Sequence, residues 1–229
     1  MAWHKHVTLI LVLLWANLAQ ANPFEDAQIT KIGGDFAHPW GITLIDDETA
    51  LVTERNGRLT RLDLSSGARQ AITGVPMVYA KRQGGLLDVL AHDNIIYFCF
   101  SRAVDGGAAT ALARAKLVGN KLDEVELMFT SNLVSKSGVH FGCRLVFADD
   151  AIYLSHGDRG SRDVAQDMAS HGGAVIKIEI ATGKISIFSK GHRNPQGMAI
   201  NPKSGAIWVN EHGPRGGDEI NVLKNGANF

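Results

Sequence analysis

The sequence predicts an all-β fold, a β-propeller built of four-stranded antiparallel blades. Three observations carry that prediction. Past the N-terminal segment there is almost no 3.6-residue apolar periodicity, so helices are not expected. In their place run short stretches in which apolar and polar residues alternate between Gly, Asp and Asn turns, the pattern of antiparallel strands. The pattern also repeats: Gly followed by a short apolar run occurs at Gly41, Gly85, Gly142 and Gly197, with spacings of 44, 57 and 55 residues. Four strands per unit at such a period indicate propeller blades. A β-sandwich, which also uses short, evenly spaced strands, is the competing architecture.

Each unit opens with its Gly-led strand: Gly41–Leu44, Gly85–Leu90, Gly142–Phe147 and Gly197–Ile200. A polar turn follows in every case (Asp46–Glu48, His92–Asn94, Asp149–Asp150, Pro202–Gly205), where Asp, Asn and Gly accommodate the reversal. Second strands come next at Ala50–Thr53, Ile95–Phe100, Ala151–Leu154 and Ala206–Val209. Third strands alternate at Arg58–Leu62, Ala111–Leu117, Ala174–Ile180 and Glu219–Leu223. Three units add a fourth strand, at Arg69–Ile72, Glu124–Phe129 and Ile185–Phe188, whereas the last ends after its third. The charged stretch His156–Asp167 inside the third unit fits no EF-hand spacing and reads as a structural loop crossed by salt bridges.

Residues 1–21 read as an export signal. His4, Lys5 and His6 supply a basic start, Val7–Trp15 an apolar run, and Ala19-Gln20-Ala21 a cleavage pattern. That run is short for a membrane span, so a propeller domain over residues 22–229, periplasmic or secreted, is expected. Lys plus Arg number 23 and Asp plus Glu 23, with no basic stripe, which argues against nucleic acid or an acidic membrane surface as partner. No H-E-x-x-H or Cys/His spacing points to zinc. Cys99 and Cys143 each stand in an apolar, strand-like run and read as small buried hydrophobes rather than as a disulfide pair.

The first strands of propeller blades line the central channel, so the residues just before them converge on one face. Here these are His38-Pro39-Trp40, Gln83-Gly84, His140-Phe141 and Arg193-Asn194-Pro195-Gln196, a set rich in hydrogen-bonding groups and suited to a polar ligand. An imidazole at His140 can take a proton from a hydroxyl. The Gln83 amide can both donate and accept.

Two strings near the end, G-H-R-N-P-Q-G over Gly191–Gly197 and E-H-G-P-R-G-G-D-E-I-N over Glu211–Asn221, carry a family resemblance. Together with S-G-V-H-F-G-C-R around His140 and R-Q-G-G-L-L-D-V around Gln83, they resemble the soluble pyrroloquinoline quinone (PQQ)-dependent aldose and glucose/sorbosone dehydrogenases. The resemblance implies that His140 is the catalytic base, that Gln83, Arg193 and Asn194 bind PQQ or substrate, and that the carbonyls of Gly213 and Pro214 ligate calcium. Asp218 and Glu219 would support that loop. Some members carry an acidic residue just before the histidine; this chain has Val139. The implied reaction oxidises an aldose to its lactone and passes electrons to an external acceptor. The family's propeller has six blades, so roughly two and a quarter, with the groups that clamp the cofactor, are expected to lie outside this sequence. Weak or no PQQ retention follows as an expectation. An inactive fragment, and a propeller lactonase or binding module, are the alternative readings.

Overall fold

The computed structural model describes residues 27–229; the expected export signal at residues 1–21 lies outside the described residues. Residues 32–229 form one compact unit, and the unit ending at Lys31 falls almost wholly outside the described part. The fold is the propeller that the repeat predicts, with no α-helix among the described residues. Blade 1 holds β1 (Pro39–Leu44), β2 (Thr49–Glu54), β3 (Arg58–Asp63) and β4 (Arg69–Ile72). Blade 2 holds β5 (Leu86–His92), β6 (Ile95–Val104), β7 (Gly107–Val118) and β8 (Lys121–Thr130). Blade 3 holds β9 (Leu145–Ala148), β10 (Ala151–His156), β11 (Ala174–Glu179) and β12 (Ile185–Lys190). Blade 4 has three strands, β13 (Pro195–Ile200), β14 (Ile207–Glu211) and β15 (Glu219–Val222).

Within every blade, successive strands pair antiparallel. After β15 the chain returns to blade 3, where β16 (Ala227–Asn228) pairs in parallel with β12 as a fifth strand. Nothing in the alternation of so short a segment signals that excursion. The first strands β1, β5, β9 and β13 follow one another around the axis, each contacting the next. The third blade starts later than its Gly-led run suggests, at Leu145. Gly142 and Cys143 have φ of +65° and +86°, values that break the extended backbone.

The core lies between blades, and period-2 alternation builds it. Along β6, Phe98 and Phe100 pack toward blade 1 with Leu51, Leu59 and Leu86, while Tyr97 and Cys99 pack toward blade 3 with Leu145, Ile152 and Leu154. A third cluster joins blades 3 and 4 through Val146, Tyr153, Met198, Ile207 and Val209. Strand β10 is buried along its whole length. The outward faces of the two terminal blades remain in solvent: Ile42 and Leu44 on blade 1, Trp208 and Ile220 on blade 4, the last 71% exposed.

The cysteines correct the sequence reading. Cys99 and Cys143 are both fully buried, and they are joined in a disulfide with Cα atoms 5.7 Å apart. One belongs to β6 and the other precedes β9, so their proximity exists only once blades 2 and 3 pack. The loop His156–Asp167 differs as well. Its neighbouring cations bind main-chain carbonyls: Lys190 Nζ donates to the carbonyls of Val164 (3.0 Å), Ser170 (2.9 Å) and Gly172 (2.7 Å). The loop also contains a short 3₁₀ turn, Arg162–Ala165.

Candidate active site

The segments before the four first strands meet at the axis. A 190 Å³ cavity there is lined by Trp40 from blade 1, Gln83 and Leu87 from blade 2, Phe141 and Gly142 from blade 3, and Asn194 and Gln196 from blade 4. Beneath it a single guanidinium touches every blade. Arg144 Nη1 lies 2.7 Å from Asp88 Oδ1, its Nε donates to the Gln196 carbonyl (3.1 Å), and its plane sits 4.5 Å over the Trp40 ring. Burial pushes the Asp88 carboxyl up to about 6, with Arg144 opposing the rise.

His140 precedes β9 in a left-handed conformation, φ +52°. Its amide N–H donates to Gln83 Oε1 (2.7 Å), and its Nδ1 lies 2.7 Å from Asp158 Oδ1. Asp158 is buried and also accepts the Gly160 N–H (2.7 Å). A carboxylate only accepts, so Nδ1 is the donor of this pair, and a neutral imidazole held this way has its lone pair on Nε2. The turn is possible because residue 157 is glycine: a Cβ there would come within 2.2 Å of the His140 carbonyl oxygen. Gln83 thus spends its carbonyl on His140, leaving its amide N–H groups for the cavity.

Asp158 leads directly to the fourth blade, since its amide donates to the Arg193 carbonyl (2.8 Å). The half-buried Arg193 sends Nη1 to the His212 carbonyl (2.9 Å), and its amide donates to Glu211 Oε2 (2.6 Å). Glu211 is held in turn by His192, whose Nδ1 lies 2.8 Å from Oε1 and whose Nε2 accepts from Ser189 (2.8 Å). Burial raises the Glu211 carboxyl, but the His192 Nδ1 contact, the Arg193 amide and the Asn221 amide together keep it below its ordinary range. Asn194 is buried. It takes the Gln196 amide on its side-chain oxygen (3.2 Å) and the His212 amide on its carbonyl (3.2 Å).

Gly213 and Pro214 follow in a tight exposed turn. A Cβ on Gly213 would lie 1.6 Å from the Gly217 carbonyl oxygen, and the Pro214 carbonyl accepts the Gly217 N–H (3.2 Å), which leaves it a second lone pair. Asp218 closes the loop by accepting the Gly213 N–H (3.0 Å). Pro214, Arg193 and Asp158 line one 430 Å³ cleft with Arg162, Asp163 and Gln166. The sequence-predicted residues therefore form one connected set: Gln83 to His140, His140 through Asp158 to Arg193, and Arg193 through His212 to the Gly213-Pro214 turn. Among the described residues no three His, Cys, Asp or Glu side chains converge as a metal cluster. Sequence reasoning missed Asp158. Its signal was the H-G-D string at the end of β10, which the loop's overall charge obscured.

A propeller with these polar blade starts is the fold of a known class of sugar-oxidising proteins. Residues 36–229 match the family model of glucose/sorbosone dehydrogenases, and the chain belongs to that family, a group of sugar-oxidising oxidoreductases. It is 34% identical to an aldose sugar dehydrogenase of Escherichia coli (strain K12), over 94% of this chain and 63% of that protein. The apo crystal structure of the soluble E. coli aldose sugar dehydrogenase superposes with a TM-score of 0.81 at 37% identity, covering 87% of this chain and 64% of that one. The PQQ-bound aldose sugar dehydrogenase of Streptomyces coelicolor gives 0.76 at 26% identity, covering 88% and 64%. The chain thus spans less than two thirds of the length of these relatives.

Proposed function

We propose that this cleft and cavity form the active site of a PQQ- and calcium-dependent dehydrogenase that oxidises the anomeric carbon of an aldose to a lactone and passes electrons to an external acceptor. The observation that carries the reading is the His140–Asp158 pair, 2.7 Å apart, standing beside Arg193. It leaves His140 Nε2 as an oriented general base for the anomeric hydroxyl. As that O–H bond breaks toward His140, the C1–O bond becomes a carbonyl and C1 gives up its hydrogen as hydride. When bound, PQQ would supply the acceptor for that hydride, its reactive carbonyl polarised by calcium.

The chain's own donors suit both groups. Arg193 offers a permanent positive charge where negative charge accumulates. The remaining N–H groups of Gln83 and Asn194 can orient carbonyl and carboxylate oxygens. Gly213 and Pro214 present hard carbonyl oxygens, the donor type calcium prefers, and Asp218 braces their turn. Periplasmic or secreted location is part of this proposal. It is supported by the N-terminal export pattern and by a disulfide, which persists in oxidising compartments.

Titration of the purified chain with PQQ and calcium, followed by glucose with a dye acceptor, tests the reading. At saturating cofactor the expected result is sugar-dependent dye reduction, falling by about 10²–10⁴-fold in His140→Asn. Lactone hydrolysis with metal alone, and no dye reduction, would replace the dehydrogenase with a lactonase.

A further inference from the structure

We propose that Arg159 is a positioning residue that holds the backbone of His140 in its left-handed conformation. The inference rests on reading His140 as the base, and it concerns a side chain that lies behind the site rather than in it.

The segment around His140 is unusual backbone. His140 and Cys143 have φ of +52° and +86°, a region that L side chains seldom adopt and that persists only where the surroundings over-determine it. Arg159 supplies that determination. It is 2% exposed, among the largest fully buried side chains of the molecule. Its Nε donates to the Val139 carbonyl (3.0 Å), its Nη1 to the Ala108 carbonyl (3.0 Å), and its Nη2 to the Ser137 carbonyl. Its guanidinium carbon stands 3.6 Å from the centre of the Phe141 ring. One planar group therefore grips the residues immediately before and after His140 and ties them to β7 at Ala108.

None of these partners is a carboxylate. Burial lowers the guanidinium to about 10, so it stays charged at neutral pH and carries the cost of that charge. A group kept for packing alone would be cheaper as an apolar residue. A fork that matches three separate carbonyls and also stacks on a ring is a geometric device, and an ammonium at a single point cannot reproduce it. Arg159 also adjoins Asp158, so consecutive residues fix the ring and the backbone of the same histidine.

The test uses the full chain as wild type, Arg159→Met, Arg159→Lys and His140→Asn, with nitrogen-15-labelled histidine NMR and amide hydrogen exchange. His140→Asn identifies the His140 Nδ1–H signal by its disappearance. In folded Arg159→Met that signal is expected to broaden away. Exchange of the His140 amide, which donates to Gln83, is expected to quicken by about tenfold or more through local opening, while β2 amides keep wild-type rates. Arg159→Lys is expected to fall between the two. A folded Arg159→Met with wild-type signal and exchange overturns the proposal. So does uniform acceleration across all blades, which makes Arg159 a fold-holding residue only. If the Met variant does not fold, the Lys variant decides by the same measurements, and failure of both to fold also overturns it. Full dehydrogenase activity in His140→Asn would sink the reading of His140 as base while leaving this NMR outcome standing.

Discussion

An imidazole serves as a base only if the correct nitrogen is bare when substrate arrives. In this protein Asp158 holds Nδ1, which leaves Nε2 as the nitrogen that the proposed reaction would use. Asp158→Asn keeps the size but can present an N–H to Nδ1 and favour the wrong tautomer. Turnover is expected to drop by roughly 10²-fold or more with little change in KM, read from steady-state kinetics of reconstituted enzyme. Two other buried groups govern stability against pH, in opposite senses. His156 is fully buried, with Nδ1 bonded to the Gly157 carbonyl and Nε2 without a protein partner, and burial pushes it down to about 3. The unfolded chain takes up its proton below about 6.5, so His156 contributes stability above that value which is lost as pH falls toward 3, on the order of 5 kcal/mol. Asp88, raised to about 6, does the reverse: its contribution is full below about 4 and is lost as pH rises to 6, roughly 3 kcal/mol. Between about pH 4 and 6 the two slopes cancel, so the net gain from pH 3 to 6.5, roughly 2 kcal/mol, is expected only at the two ends of that range. In chemical denaturation between about pH 4 and 6, Asp88→Asn should turn the plateau into a climb and His156→Gln should turn it into a fall.

At the scale of elements, the disulfide is a covalent cross-link between blades 2 and 3 in addition to the main chain, and it anchors the chain three residues beyond His140. It closes a loop with a sequence separation of 44 residues, for which chain-entropy reasoning gives about 4 kcal/mol. Urea unfolding of Cys99→Ala/Cys143→Ala is expected to show a loss approaching that size, and the wild type in reducing agent should behave alike. The strands themselves were legible because alternation, glycines and Asp/Asn turns are local signals; β2, β10 and β14 fall within a residue or two of where the pattern puts them. The disulfide, the late start of β9, and the pairing of His140 with Asp158 were not legible. Each depends on one blade meeting another, or on a backbone torsion that packing imposes, and neither leaves a periodic trace in the sequence. Gln83, His140, Arg193 and Asn194 could be picked out because propeller geometry sends every blade start to one face, so position in the repeat stands in for position in space, whereas Gly213 and Pro214, between β14 and β15, were singled out by the family resemblance of their string alone.

Across the whole molecule, four blades share three interblade cores, while blades 1 and 4 each turn an apolar face to water. What joins them at the axis is polar: Arg144, reaching Trp40, Asp88 and Gln196 as well as its own blade. Those partners come from all four repeats, spanning residues 40 to 196, and they stand together only when the last blade has docked. The guanidinium is therefore expected to make its contacts late in folding, after a transition state built from contacts nearer in sequence. Arg144→Met is expected to leave the refolding limb of a chevron plot unchanged and to raise the unfolding limb. The central arginine is thus expected to act as a latch on the four docked blades, setting how long the native state lasts rather than how quickly it is reached.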